Sequence, residues 1–213
     1  MLKIAAFVLL ALNYILFFAS ATPWLAALFK VLPLWCLIAW AYTQAPQRRL
    51  LFPALLLGTC GDALLAFNLF IPGLLAFLLG HLCYSALWVK TRKSTSWVTA
   101  LPAAGLMLMS LWFILPAVGE LLVPVLIYLL VIGAMAVLAS RSTLLDVWGM
   151  LGVYSFLVSD FIIAWNEFIS PLAWSAPAIM VTYYLAQFLI CVSVVRHSSR
   201  HSVEQTEGLQ AAS

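Results

Sequence analysis

Charge is what this sequence has least of. Only 8% of its 213 residues are Asp, Glu, Lys or Arg, against about 25% in a soluble domain. That excludes a water-soluble domain and also a disordered chain, which combines high charge with little hydrophobicity. The net charge of +3 is too sparse for a basic nucleic-acid surface, so nucleic acid is not an expected partner. Cysteine is also scarce. Cys36, Cys60, Cys83 and Cys191 lie singly in apolar runs without a CxxC pair, so zinc ribbons, redox motifs and disulfide scaffolds find no support. A serine-nucleophile GxSxG motif is missing. What fills the chain instead is a hydrophobic content of 66%.

A bilayer core of about 30 Å needs about 20 apolar helical residues per crossing. Cutting the sequence at its charges, prolines and polar clusters predicts eight spans, over 4–20, 24–42, 50–67, 70–89, 97–115, 121–139, 147–165 and 173–195. The expected fold class is an all-α membrane protein. A single eight-transmembrane-helix bundle occupies 1–195, and 196–213 forms a polar, disordered cytoplasmic tail. The first run resembles a signal peptide in its Lys3, its apolar stretch and Ala19-Ser20-Ala21. Asn13 and Tyr14 interrupt that stretch, and a retained first helix is expected.

Assigning alternate loops to two faces puts Lys3, Arg48, Arg49, Lys90, Arg92, Lys93, Arg141, Arg196 and Arg200 on one side and only Lys30 on the other. An odd number of spans would break this split. By the positive-inside rule both termini face the cytoplasm. The bias fits a bacterial inner membrane, or an endomembrane if the source is eukaryotic.

Residues 61–68 (Gly-Asp-Ala-Leu-Leu-Ala-Phe-Asn) and 159–166 (Ser-Asp-Phe-Ile-Ile-Ala-Trp-Asn) share Asp, Ala and Asn at matching places. The offset of four spans suggests a 4+4 parallel repeat, with chance similarity between apolar segments as the other explanation. The two aspartates lie at equal depth whichever holds. An ionisable group within a span costs about 2.5–3.5 kcal/mol at the centre, so it turns inward and is a functional candidate. Four such groups lie well inside the predicted spans: Lys30, Asp62, His81 and Asp160. From a rise of about 1.5 Å per residue, the aspartates lie about 8 Å, Lys30 about 9 Å and His81 about 17 Å from the outer helix ends. Tyr84 shares a face with His81, and Tyr183, Tyr184 and Gln187 bring further hydrogen-bonding groups near mid-membrane. A lysine–aspartate pair can also simply join helices, and the tyrosines and His81 can be packing residues. Two carboxylates with one lysine nearby are harder to explain by packing alone. Paired, they suit acid–base chemistry through an oxocarbenium-like state. Gly58, Gly61, Gly149 and Gly152 are placed to admit close helix neighbours. A single intramembrane histidine does not make a multi-histidine zinc site, and neither metal nor cofactor is expected.

Phe29-Lys30-x-x-Pro33, Gly61-Asp62-Ala63, His81-x-x-Tyr84, Ser159-Asp160 and Tyr183-Tyr184-x-Ala186-Gln187 follow one another along the chain. In that order they resemble the lysoplasmalogenase (YhhN-like) integral membrane family, from the second helix to the eighth. Two departures are visible: the proline follows Lys30 by three positions instead of directly, and Gly80 stands before His81 where serine is common. The resemblance implies hydrolysis of the vinyl-ether bond of a lysoplasmalogen to a fatty aldehyde and glycerophosphoethanolamine or glycerophosphocholine. It casts Asp62 and Asp160 as the catalytic pair, with Lys30, His81, Tyr84, Tyr183, Tyr184 and Gln187 binding substrate or supporting them. The expected partners are a lysophospholipid substrate and membrane lipids; oligomeric state is not legible. The alternative is a proton-coupled transporter or carrier using the same aspartates. It requires a path open alternately to both faces, whereas the polar groups cluster in the outer half.

Overall fold

The computed structural model describes residues 2–18, 21–45, 49–91 and 97–211. Ala19, Ser20, Arg48, Arg92 and Lys93 lie outside the described residues. Among those described there are eight α-helices and no strand: α1 (Leu2–Asn13), α2 (Pro23–Gln44), α3 (Leu51–Ala66), α4 (Phe70–Val89), α5 (Leu101–Phe113), α6 (Leu122–Ala139), α7 (Val147–Phe168) and α8 (Ser175–Ala211). Each expected span has its helix. Five of the helices are long and apolar enough to cross a membrane: α2, α4, α6, α7 and α8. The three shorter ones are α1, lengthened by a π-helical turn at Tyr14–Phe18, together with α3 and α5. α3 has 16 residues, about 24 Å of rise. It closes at Asn68, which adopts φ +57, the left-handed conformation that asparagine tolerates at a helix end. α8 continues as helix past 195 into the polar tail, where Glu204, Gln205, Glu207 and Gln210 are good helix formers.

The helices alternate in direction and two ends emerge. At one, Lys3 Nζ donates to Ala39 O at 2.9 Å, Thr143 Oγ1 to Thr91 O at 2.9 Å and Ser193 Oγ to Asp146 Oδ1 at 2.9 Å. Asp146 caps α7 by accepting from the Gly149 N–H. Burial raises its carboxyl pKa, but the Gly149 N–H and the Ser193 hydroxyl outweigh this and hold it below the usual carboxylate range. At the other end aromatic rings gather: Trp24 on Phe67 at 4.7 Å, Phe70 on Phe168 at 5.5 Å and Phe113 on Trp165 at 5.8 Å. Such rings suit a membrane–water interface.

The exterior is apolar, with Trp112, Leu9 and Leu130 among its exposed side chains, while Lys30, Asp62, His81 and Gln187 are buried inside. This inversion of a soluble fold is what lipid requires. α3 packs along α4 and α7 along α8. A Cβ on Gly152 would stand 3.0 Å from Ala186 O and Ile190 N, so α7 meets the backbone of α8 directly. Gly61 makes room for the Phe77 ring of α4, but Gly58 faces Tyr183 and Gln187 of α8. α1 is part of the bundle: Phe7 stacks on Phe188 at 5.5 Å and Tyr14 meets Tyr184 edge-on at 6.4 Å. α5 is the loosest helix, burying only Ala103 and Ser110.

Candidate active site

The intramembrane polar groups form two clusters on opposite sides of a pair of phenylalanine rings. In the first, Lys30 of α2 and Asp62 of α3 make an ion pair, Nζ to Oδ1 3.2 Å, and both are buried. Pro33 removes one backbone hydrogen bond from the turn carrying Lys30, and in that turn the Lys30 carbonyl accepts from Tyr184 Oη at 2.7 Å. From α8, Gln187 is oriented by two bonds: its Oε1 accepts from Tyr84 Oη at 2.6 Å and its Nε2 donates to Tyr183 Oη at 3.2 Å. Tyr183 thus accepts from Gln187 and keeps its own proton to give. Asp62 Oδ2 is buried without a hydrogen-bond partner, and the electrostatic coupling of Tyr183 to Asp62 makes it the natural recipient.

The second cluster joins α4, α6 and α7. Tyr128 Oη donates to Asp160 Oδ2 at 2.6 Å, and His81 Nε2 lies 4.0 Å from the same oxygen. Both ring nitrogens of His81 are buried without a hydrogen-bond partner. Its ring is held edge-on by Tyr128 at 5.4 Å and Phe156 at 4.8 Å. Phe156 also meets Tyr183 at 5.4 Å and Phe77 meets Tyr183 at 5.8 Å, so these two rings bridge the clusters.

Asp160 and Tyr128 lie in the wall of an apolar cleft between α4, α5, α6 and α7. Phe70 and Phe168 place it toward the aromatic end, and Phe77, Leu106, Met107 and Leu157 supply apolar walls. Asp62 does not line it. The four groups expected in the outer half thus resolve into Lys30–Asp62 and His81–Asp160, and Lys30 neutralises one aspartate only.

Tyr84 turns to Gln187 instead of joining His81, although one turn separates them. Tyr184 reaches the backbone of Lys30, not its ammonium. Tyr128, which the sequence reading passed over, is the one hydrogen-bonding side chain in α6; its isolation in so apolar a helix was the available signal. Among the described residues no three His, Cys, Asp or Glu side chains gather as a metal site requires.

An all-helical integral membrane protein with one carboxylate, Asp160, facing an apolar cleft is the class that fold and site define. The YhhN family profile matches residues 25–194, and the chain belongs to that family. It is 32% identical over 90% of its length to human Lysoplasmalogenase TMEM86A, of which it covers 86%. Human Lysoplasmalogenase TMEM86B is 32% identical over 81% of this chain and 76% of the relative. A Lysoplasmalogenase of Mycobacterium bovis is 36% identical over 70% of this chain and 62% of its own length. No solved structure matches the chain.

Proposed function

We propose that this protein is a lysoplasmalogenase, hydrolysing the vinyl-ether bond of a lysoplasmalogen to a fatty aldehyde and glycerophosphoethanolamine or glycerophosphocholine. The observation that carries this reading is Asp160, set in the wall of an apolar cleft with Tyr128 and His81 against it. The relatives named lysoplasmalogenase agree with it.

The chemistry follows from the placement. Tyr128 occupies Oδ2 of Asp160 as a donor, leaving Oδ1 to carry a proton. That proton passes to the β-carbon of the enol ether, giving an oxocarbenium ion and the Asp160 carboxylate. The nascent carboxylate and the Asp62 charge behind Phe77 stabilise the cation. Water adds at the α-carbon and returns one proton to Asp160, restoring the acid and leaving a hemiacetal. The hemiacetal collapses to aldehyde and alcohol, and all atoms balance. His81 orients the water. Lys30 is engaged with Asp62 and is not available to hold a phosphate.

Both termini lie on the cytoplasmic side by the cation bias, which puts the cleft in the outer half, within lateral reach of a lipid. The decisive experiment incubates the purified protein with a lysoplasmalogen and with matching saturated-ether and ester lysolipids. Free fatty aldehyde is expected from the vinyl ether alone; none from any headgroup, with a folded sample, would overturn the proposal.

A further inference from the structure

The cleft does not end at Asp160. Met107 of α5 lines it and also lines a second space, an open groove between α5 and α6. The groove is bounded by small apolar residues, Ala100, Ala103, Ala104 and Gly133, with Leu108 and Val137. It runs away from the aromatic end, since Val137 lies two residues before the close of α6. The Met107 side chain rests in the notch that Gly133 leaves: a Cβ there would stand 3.1 Å from Met107 Cε. Nine residues separate Tyr128, beside Asp160, from Val137, about 14 Å of helix.

We infer that the α5–α6 groove receives the distal part of the substrate's alkenyl chain, with Met107 as the movable partition between it and the catalytic cleft and Gly133 as the recess that lets the partition turn. The inference rests on the lysoplasmalogenase reading and deepens it. The Met107 wall that the groove shares with the cleft identifies the occupant. A chain whose vinyl ether lies at Asp160 and whose headgroup lies at the aromatic end extends in this direction. Its hydrocarbon matches walls that offer no hydrogen-bond partner. A methionine suits the partition because its unbranched thioether adopts many shapes at little cost, and α5, which buries only two of its residues, can yield to a chain.

The test is a chain-length series of lysoplasmenylethanolamines with short, medium and long alkenyl groups. For Gly133→Leu, which fills the recess, and Met107→Trp, which blocks the partition, the ratio of long-chain to short-chain kcat/KM should fall at least tenfold relative to wild type. An equal change for every chain length, or none, would overturn the inference. Because either variant can fail to fold, the unmodified protein is also photolabelled with a lysolipid carrying a diazirine at the chain terminus. Adducts on 100–108 or 133–137, removed by excess unlabelled lysolipid, support the groove; adducts confined to other helices refute it. If wild-type protein releases no aldehyde from any chain length, the functional reading fails, and the labelling alone decides whether the groove takes a lipid chain.

Discussion

Lys30 and Asp62 bury opposite charges 3.2 Å apart, and neither is tolerable without the other. Lys30→Met leaves a buried carboxylate without its cation, and a loss of about 3–5 kcal/mol is expected. The double variant Lys30→Met/Asp62→Asn should regain most of that stability in thermal unfolding while remaining inactive. For Asp160→Asn, aldehyde release should drop by about 10²–10⁴-fold, the range of a general acid, with the fold intact by circular dichroism. Full activity would remove Asp160 from the reaction. Tyr128→Phe keeps the ring against His81 but takes the donor from Asp160, and a fall in kcat with little change in KM is expected. In heavy water the aldehyde should carry one deuterium on the carbon next to the carbonyl, because protonation of the double bond places it there. The charged residues were legible in the sequence because an ion in an apolar run announces its own cost. Tyr128 was not, since a phenol is an ordinary core filler and one helix read alone does not show which neighbour it faces.

Among the elements, α7 and α8 form the tightest join and α5 the slackest. Gly152→Val forces atoms into the α8 backbone and should lower stability by about 1–3 kcal/mol, read as a lower Tm in detergent. Gly105→Ala is the contrasting case. A Cβ there meets nothing within 4 Å, and in mid-helix the change should be neutral or stabilising by about 0.5–1 kcal/mol. All eight helices could be placed from hydropathy and cation spacing. The end of α3 was legible to within one residue, although the left-handed backbone of Asn68 that follows it is not encoded in composition. The motif copies also differ here. Asn68 closes α3, whereas Asn166 lies within α7 and its Oδ1 accepts from Leu172 N and Ser175 Oγ.

For the whole molecule, the cation-rich end and the aromatic end set an expected orientation. A fluorescent protein fused at either terminus should fold on the cytoplasmic face, and a periplasmic or lumenal reporter at either terminus should be silent. Position along each helix was readable from sequence, because helix rise converts residue number to distance. Lateral convergence was not. Asp62 and Asp160 each sit with their own partners, and only assembly of the helices decides that Asp160 meets the cleft. The carrier alternative has no observation in its favour. The relatives bear an enzyme's name, and the cleft lies at one end of the bundle.

The cleft's position between a wet rim and an oily interior has a consequence for turnover of the proposed reaction. One substrate molecule yields two products that prefer different phases. The glycerophosphodiester dissolves in the water beyond the aromatic rings, and the fatty aldehyde dissolves in the surrounding hydrocarbon. Each product leaves along its own solubility gradient, so the fragments rarely meet again and the back reaction starves. The surrounding bilayer then acts as a sink that rectifies the proposed chemistry.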